Sequence, residues 1–389
     1  MPPTKHRLRK FRFDRPQQIA ALLLLLLLGQ CLWVIGHKIL SENDYEYARC
    51  GREMWEKPSP LAGYFTSCGN IHDGTLAYRA AGLPLTLDRI FAGQASTTST
   101  WEMRHELSHI NLLLRLPFFF AALMLGACIW WVTRRLYGNT GGYIALTLYC
   151  FSPSIIAAAV YPNNDIWAAF GVFAAVYTAI GVSHAMQGPR KKWRPRIVLL
   201  TVVLGFTAAA HISAFAIALL LTVCFMAYLA EGKRAYLPTL LIVWVLGAML
   251  ILLASYGFRP DAFSYVFRSE AAKVGFSFEP AWAFFSNLSN AGLAIASAGA
   301  LGLYLATRRS RYFGNTAPLI VGLLLMLLVT TGIQSTPVLW AVPFLLAFVS
   351  GVFADVLETH YRPWFLWITG GLLAAQVALS LASLPLLTR

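Results

Sequence analysis

Charged side chains cluster in one short stretch, Ser41–Lys57, with the sequence SENDYEYARCGREMWEK. Charged residues make up only 12% of the chain, so this density stands out. The stretch follows the first long apolar run directly, which predicts a loop at one face of a membrane. Two of its carboxylates, Asp44 and Glu46, are candidate catalytic groups. The simpler alternative is that both are solvated loop residues.

Three further polar residues stand near the ends of apolar runs. Asp165 follows a Pro-Asn-Asn turn, so it would either cap the next helix or belong to a site. Arg115, in the sequence LLLRLP, would either extend to the membrane interface or bind phosphate. His211 lies among small residues, which favours close helix packing over ligand binding.

Metal and redox chemistry have weaker support in the sequence. Asp44, Glu46, Asp165 and His72 could bind a divalent cation, Mg²⁺ or Mn²⁺, but nothing in their spacing requires one. No nucleotide-binding glycine loop, H-E-x-x-H or C-x-x-C sequence occurs in a typical context. Cys50 would form a disulfide with Cys68 only if the loop that carries them faces an oxidising compartment.

Membrane helices are the elements that must position these residues. Hydrophobic residues make up 58% of the 389 residues, and apolar runs recur along the chain. The formal net charge is +14, with Lys and Arg concentrated in short loops between those runs. This is the positive-inside pattern of a multi-pass membrane protein, and it argues against nucleic-acid binding. We therefore predict an all-α transmembrane bundle of about eleven helices with a cytoplasmic N-terminus.

Run length and basic loops set the predicted crossings. The run from 197 to 230 is too long for one crossing and basic at both ends, so it should contain two helices that meet near His211. A semi-apolar stretch, Leu76–Phe91, contains three charges and should lie along the membrane surface. The crossings are predicted at about 18–38, 111–131, 141–160, 166–186, 197–230 (two), 236–256, 288–306, 317–331, 337–354 and 364–386.

The whole chain, 1–389, is predicted to be one integral membrane domain without a C-terminal soluble domain. A basic tail, 1–17, would be cytoplasmic. Two long loops would face outward, 39–111 with surface helices and 257–285. The inner face then collects basic residues, whereas the outer face collects the polar candidates, which are Asp44, Glu46, His72, Arg115, Asp165 and His211.

Four stretches together carry a family resemblance. NDYEYARCGREM is similar to an Asp-Glu…Tyr-Ala…Ala-Arg-Glu-Met pattern that follows a first helix. The stretch from LRLP through RRLYG and SP to the Asp165 helix matches a second pattern. The paired helices around His211 and the late TPVLWAVPFLLAFVSG complete the set. In this order they resemble the GT-C superfamily of polyprenyl-phosphate-sugar glycosyltransferases, which includes protein mannosyltransferase and aminoarabinose transferase relatives.

The chain departs from that family at three places. Asn43-Asp44 stands where Asp-Glu is expected, which favours Asp44 as the acid and leaves Glu46 as its rival. His211 stands where the family often has Lys or Arg. Ser335-Thr336-Pro337 replaces an Arg-containing stretch.

The resemblance implies an inverting sugar transfer at the outer face of the plasma (inner) membrane. The donor would be a polyprenyl-phosphate sugar, and the acceptor a lipid, a glycan or a protein. Asp44 would be the general base, and Asp165 would orient the acceptor or hold a metal. The leaving phosphate would be bound by cationic groups drawn from Arg115, His211, Arg268 and Lys273.

Two functions of other classes stay open at this point. A solute transporter or lipid flippase would be expected to show inverted repeats, and none is visible in the sequence. A non-catalytic membrane assembly protein would tolerate Asp44→Asn without loss of function.

Overall fold

The computed structural model describes residues 14–56, 74–92, 100–258, 274–307, 312–330, 338–358 and 362–388. Helices dominate it. In chain order they are α1 (Arg15–His37), α2 (Glu42–Glu56), α3 (Thr75–Ala92), α4 (Thr100–Cys150), α5 (Pro153–Val160), α6 (Asp165–Met186), α7 (Arg190–Ala210), α8 (Ile212–Leu229), α9 (Leu237–Ser255), α10 (Glu279–Ser286), α11 (Ala291–Thr307), α12 (Tyr312–Leu327), α13 (Val338–Leu357) and α14 (Arg362–Ser383).

Nine helices in the described part of the chain are long and apolar enough to cross a membrane. One of them, Leu107–Cys150, contains the second predicted crossing and the first half of the third. The ninth predicted crossing, 317–331, corresponds to a shorter apolar helix outside these nine, Gly314–Leu327. The predicted class, an all-α multi-pass bundle with surface helices in the first long loop, is confirmed. One short antiparallel pair of strands is added to it, β1 (Val274–Phe276) with β2 (Leu328–Thr330).

A glycine turns α4 into a helical hairpin. Gly138 has φ +75°, a conformation that side chains other than glycine rarely adopt. The two arms of α4 on either side of Gly138 lie against each other, since the Tyr149 hydroxyl of the second arm donates to the Ala122 carbonyl of the first at 2.7 Å. A Cβ on Gly126 would lie 2.8 Å from the Tyr149 ring, so the glycine permits this close approach.

A second hairpin reverses at His211, between α7 and α8. Near the start of α7, Arg196 Nη1 donates to the Gly181 carbonyl of α6 at 2.8 Å. Near the end of α8, Met226 Sδ accepts from Ser183 Oγ, also of α6, at 2.8 Å. The start of α7 and the end of α8 therefore lie at the same end of α6. The predicted pair of helices within 197–230 is confirmed.

The predicted crossing at 141–160 is broken in the structure. Pro153, which has no backbone N–H, starts α5 after a two-residue gap. The break leaves two carbonyls in the apolar interior without helical partners, and side chains from distant helices satisfy them. Gln30 Nε2 donates to the Cys150 carbonyl at 3.1 Å, and Gln376 Nε2 donates to the Phe151 carbonyl at 2.6 Å.

Two other predicted boundaries differ. The crossing expected at 317–331 ends as a helix at Leu327, where β2 begins. The loop expected over 257–285 contains β1 and α10, and its residues 259–273 lie outside the described residues. Strand pairing explains both differences, because the Ser277 N–H bonds to the Leu327 carbonyl at 2.9 Å and joins the two segments.

The acidic stretch is a helix, so its prediction as a loop is wrong. α2 packs on α3 with backbone against backbone, since a Cβ on Gly51 would lie 2.2 Å from the Tyr78 carbonyl oxygen. Glu56 of α2 pairs with Arg52 at 2.9 Å and also with Arg89 of α3. Burial opposes the charged form of Glu56, but the two arginines hold its pKa below the ordinary value. The α2–α3 pair therefore forms one packed unit.

Candidate active site

Asp44 lies in the first turn of α2 and is 1% exposed, so the alternative of a solvated carboxylate is wrong. Three donors converge on its Oδ2 atom: the Ser41 N–H at 2.8 Å, the Ser41 hydroxyl at 2.9 Å and Arg115 Nη2 at 2.7 Å. Ser41 Oγ also accepts from the Asp44 N–H at 3.3 Å, which completes a reciprocal cap of α2. The other oxygen, Oδ1, is buried and has no hydrogen-bond partner among the described residues.

Arg115 is fully buried in α4, so the alternative that it extends to the interface is wrong. Its Nη1 atom donates to Asn111 Oδ1, one turn earlier in the same helix. Asn111 Nδ2 in turn donates to the carbonyls of Ile35 at 2.9 Å and Lys38 at 3.0 Å, at the end of α1. Arg115 is thus fixed between the end of α1 and Asp44, and its charge compensates that of the buried carboxylate.

A second cation, Lys38, was missed by sequence reasoning. Its Nζ atom lies 2.8 Å from the centroid of the Tyr161 ring, and the residue is 9% exposed. Burial and, to a smaller extent, the neighbouring Arg115 lower the pKa of Lys38 to about 8, while Asp44 acts in the opposite direction. In the sequence Lys38 is only the basic flank of an apolar run, so no local signal marked it.

Asp165 is the first residue of α6 and is buried. The residue before it, Asn164, holds the cap position, so the alternative of Asp165 as the cap is wrong. The Asp165 N–H donates to Asn163 Oδ1 at 3.1 Å. Because Tyr161 belongs to the same turn and touches Lys38, Asp165 and Asp44 lie at the same end of the bundle, which we call the Asp44 end.

His211 also lies at the Asp44 end. It forms the break between α7 and α8, and its Nδ1 atom accepts from the Ser213 N–H at 3.2 Å, which caps α8. A Cβ on Gly171 of α6 would lie 2.2 Å from Thr207 Oγ1 of α7, and this contact brings the break close to the start of α6. The imidazole also packs edge-on against the Trp340 ring, with 4.9 Å between the ring centroids, at the start of the buried helix α13.

The remaining predicted site residues are Glu46, His72, Arg268 and Lys273. Glu46 is exposed, because positions two apart on a helix point in different directions. His72, Arg268 and Lys273 lie outside the described residues. Cys68 does too, so the disulfide with Cys50 stays a prediction.

The predicted divalent-cation site stays a prediction, with little support in the part of the chain that the structure describes. No group of three His, Cys, Asp or Glu side chains in this part of the chain is placed to hold a metal ion. At Asp44 the neighbouring positive charges, Arg115 and Lys38, would also repel a cation. His72, another of the proposed ligands, lies outside the described residues.

The geometry defines what this end of the bundle could do chemically. One oxygen of Asp44 is fixed by three donors, and the other has no hydrogen-bond partner among the described residues. Two buried cations lie beside it. This combination suits a reaction in which a proton is removed from one group while negative charge develops on another.

Comparison with solved structures shows the fold. Over 90% of this chain, it is similar to ArnT from Cupriavidus metallidurans bound to undecaprenyl phosphate, with 15% identity, 62% of the ArnT chain covered and a TM-score of 0.61. Over 95% of this chain, it is similar to the archaeal oligosaccharyltransferase AglB from Archaeoglobus fulgidus in complex with an inhibitory peptide and a dolichol-phosphate, with 11% identity, 56% of that chain covered and a TM-score of 0.58. The chain thus spans little more than half the length of these proteins.

The sequence comparisons are narrower. A family model described as the Yip1 domain matches residues 75–212, about a third of the chain. No curated protein matches the sequence. The structural likeness places the chain in the fold class of the GT-C membrane enzymes, as the sequence resemblance predicted. At this level of identity the likeness shows the fold, and function has to be argued from the site.

Proposed function

We propose that this protein is a glycosyltransferase that moves a sugar from a polyprenyl-phosphate donor to an acceptor hydroxyl, with inversion at the anomeric carbon. The observation that carries the proposal is the asymmetry of Asp44. Its Oδ2 atom is held by Ser41 and Arg115, while its buried Oδ1 atom has no partner among the described residues. A general base needs one oxygen free to take the proton, and the unpartnered Oδ1 supports this role for Asp44.

In the proposed reaction the acceptor oxygen attacks the anomeric carbon as its proton passes to Asp44 Oδ1. The bond from the anomeric carbon to the phosphate oxygen breaks on the opposite face, and polyprenyl phosphate leaves with both bonding electrons. Arg115 positions the base through its 2.7 Å contact. Cationic side chains would stabilise the leaving phosphate, and the sequence candidates His211, Arg268 and Lys273 stay proposals for that role.

Asp165 would orient the acceptor. It is buried at the Asp44 end, at the start of α6, which fits a polar contact to a sugar or acceptor hydroxyl. We propose that this end faces the extracytoplasmic side, because the basic loops predicted to be inside lie at the opposite end. The fold neighbours were solved with undecaprenyl phosphate and with a dolichol-phosphate, which supports a polyprenyl phosphate as the ligand class.

The test is sugar transfer by the purified protein in lipid, with a panel of polyprenyl-phosphate sugars and measurement of released polyprenyl phosphate. Asp44→Asn keeps the shape of the side chain and an oxygen for the Ser41 donors, but it removes the base. We expect turnover to fall by about a hundredfold or more, within the range assigned to general-base catalysis. Glu46→Gln is the matched control, since Glu46 is an exposed carboxylate on the same helix.

Each result has a defined meaning. Turnover that survives Asp44→Asn would keep the reaction class and move the base to another carboxylate. Turnover that falls equally in Glu46→Gln would point to a general effect of charge on α2. Failure of the wild-type protein to bind or use any donor would favour transport or membrane assembly instead.

A further inference from the structure

The cluster at Asp44 has more positive than negative charge. The Asp44 carboxylate is paired with Arg115 at 2.7 Å. Lys38 adds a second cation, close enough for Asp44 and Arg115 to shift its pKa. Within the described ranges, the Lys38 ammonium has no carboxylate within ion-pair distance. A cation that is 9% exposed as a residue and has no counterion in this part of the chain favours an anion at this position.

The contact of Lys38 with Tyr161 leaves its hydrogen-bonding capacity unused. An ammonium group has three N–H donors. The Tyr161 ring face, 2.8 Å from Nζ, attracts the charge but offers no lone pair comparable to a carboxylate or phosphate oxygen. No hydrogen bond from Nζ is formed to any residue that the structure describes.

We propose that Lys38 is the residue that binds the phosphate group of the lipid donor, with Tyr161 holding the ammonium in place before the donor arrives. The inference rests on the proposed function and assigns one of its roles. Sequence reasoning gave phosphate binding to Arg115, but two of its nitrogens are bonded to Asp44 and Asn111, and the third, Nε, is buried without a partner among the described residues, away from a ligand's approach. Lys38 lies beside the same carboxylate with its donors available, so it can reach a phosphate next to the reacting carbon.

The side-chain chemistry gives this site a pH dependence. Three groups face the ammonium: Asp44 from α2, Arg115 from α4 and Tyr161 from the turn before α6. With its pKa lowered to about 8, Lys38 is charged below that pH and neutral above it. Phosphate binding should therefore weaken as the pH rises through about 8. Lys38→Arg should remove this dependence, since a guanidinium stays charged.

The experiment measures binding of undecaprenyl phosphate to the purified full-length protein in lipid nanodiscs, without acceptor. Lys38→Gln should weaken binding by about tenfold or more, and Lys38→Arg should stay within a few-fold of the wild type. Lys233→Gln is the matched control, because Lys233 lies in the turn between α8 and α9, away from the Asp44 end. Tyr161→Leu removes the ring that holds the ammonium but keeps the charge, so it should weaken binding less than Lys38→Gln does.

The outcomes separate this proposal from the proposed function. Wild-type binding with equal binding by Lys38→Gln would overturn the role of Lys38 and leave the enzyme class untouched. Absence of wild-type binding would count against both. Inorganic phosphate that displaces the lipid at equal concentration would show a site for free phosphate and overturn the lipid assignment. Thermal melting of each variant checks that a loss of binding is not a loss of fold.

Discussion

Replacing Arg115 by Met should destabilise the protein strongly, because it leaves the Asp44 carboxylate buried without its cation. The two side chains are 0% and 1% exposed, and their contact atoms are 2.7 Å apart. Two unit charges about 4 Å apart attract by about 4 kcal/mol at an effective dielectric constant of 20. Breaking a buried pair by removing one partner costs about 3–5 kcal/mol. We therefore expect Arg115→Met to lower the free energy of unfolding by about that amount.

The assay is thermal unfolding of purified variants in one detergent, arranged as a double-mutant cycle. Arg115→Met alone should lower Tm by about 10 °C, as scaled from soluble domains. The double variant with Asp44→Asn should recover much of that loss, since the carboxylate that had lost its partner is then no longer charged. The Ser41 donors still have an oxygen to bond in the double variant.

Arg52→Met is the control for this cycle. Its pair with Glu56 has a similar N–O distance, 2.9 Å, but Arg52 is 39% exposed. An exposed pair contributes at most about 1 kcal/mol. If Arg115→Met melted no lower than Arg52→Met, or if the double variant were no more stable than Arg115→Met, the argument that a buried charge pair holds α2 on α4 would be wrong.

Three further outcomes follow from close contacts and from the charge around Asp44. Gly82→Ala should lower both the Tm and the transfer rate, because the added Cβ would lie 2.1 Å from the Gly51 carbonyl carbon. The control is Gly299→Ala, which should be neutral or slightly stabilising because no heavy atom lies within 4 Å of the added carbon. Gln376→Leu should lower the free energy of unfolding by about 1–3 kcal/mol, measured by thermal unfolding, because the Phe151 carbonyl loses its hydrogen-bond donor at 2.6 Å. Transfer by the wild-type protein should be unchanged by EDTA, and a loss restored by Mg²⁺ or Mn²⁺ would contradict the repulsion expected at Asp44.

The membrane architecture was predictable because the bilayer imposes it on the sequence. Apolar length and basic flanks located most crossings, including the pair that meets at His211, since both depend on solvation along the chain. The break before Pro153 was missed because the run stays apolar through it, and hydropathy alone does not register the backbone N–H that a proline lacks. The partners that make this break possible, Gln30 and Gln376, are far away in sequence.

The candidate site was only partly predictable. The sequence singled out Asp44, Arg115 and Asp165, yet the ion pair between the first two joins residues 71 positions apart and follows from packing. Lys38 was overlooked because a lysine at the end of an apolar run usually marks topology. The role proposed for Lys38 depends on its contact with the Tyr161 ring, which lies in the turn before α6, far away in sequence.

The reciprocal cap between Ser41 and Asp44 forms when α2 folds, and the same hydrogen bonds position the Asp44 carboxylate. The same carboxylate that would take the proton also satisfies the first backbone amide of the segment that carries it. A chain in which α2 has not wound, for instance during insertion, would have no positioned base and could not act on donor lipid prematurely. The proposed reaction would therefore require α2 to be folded first.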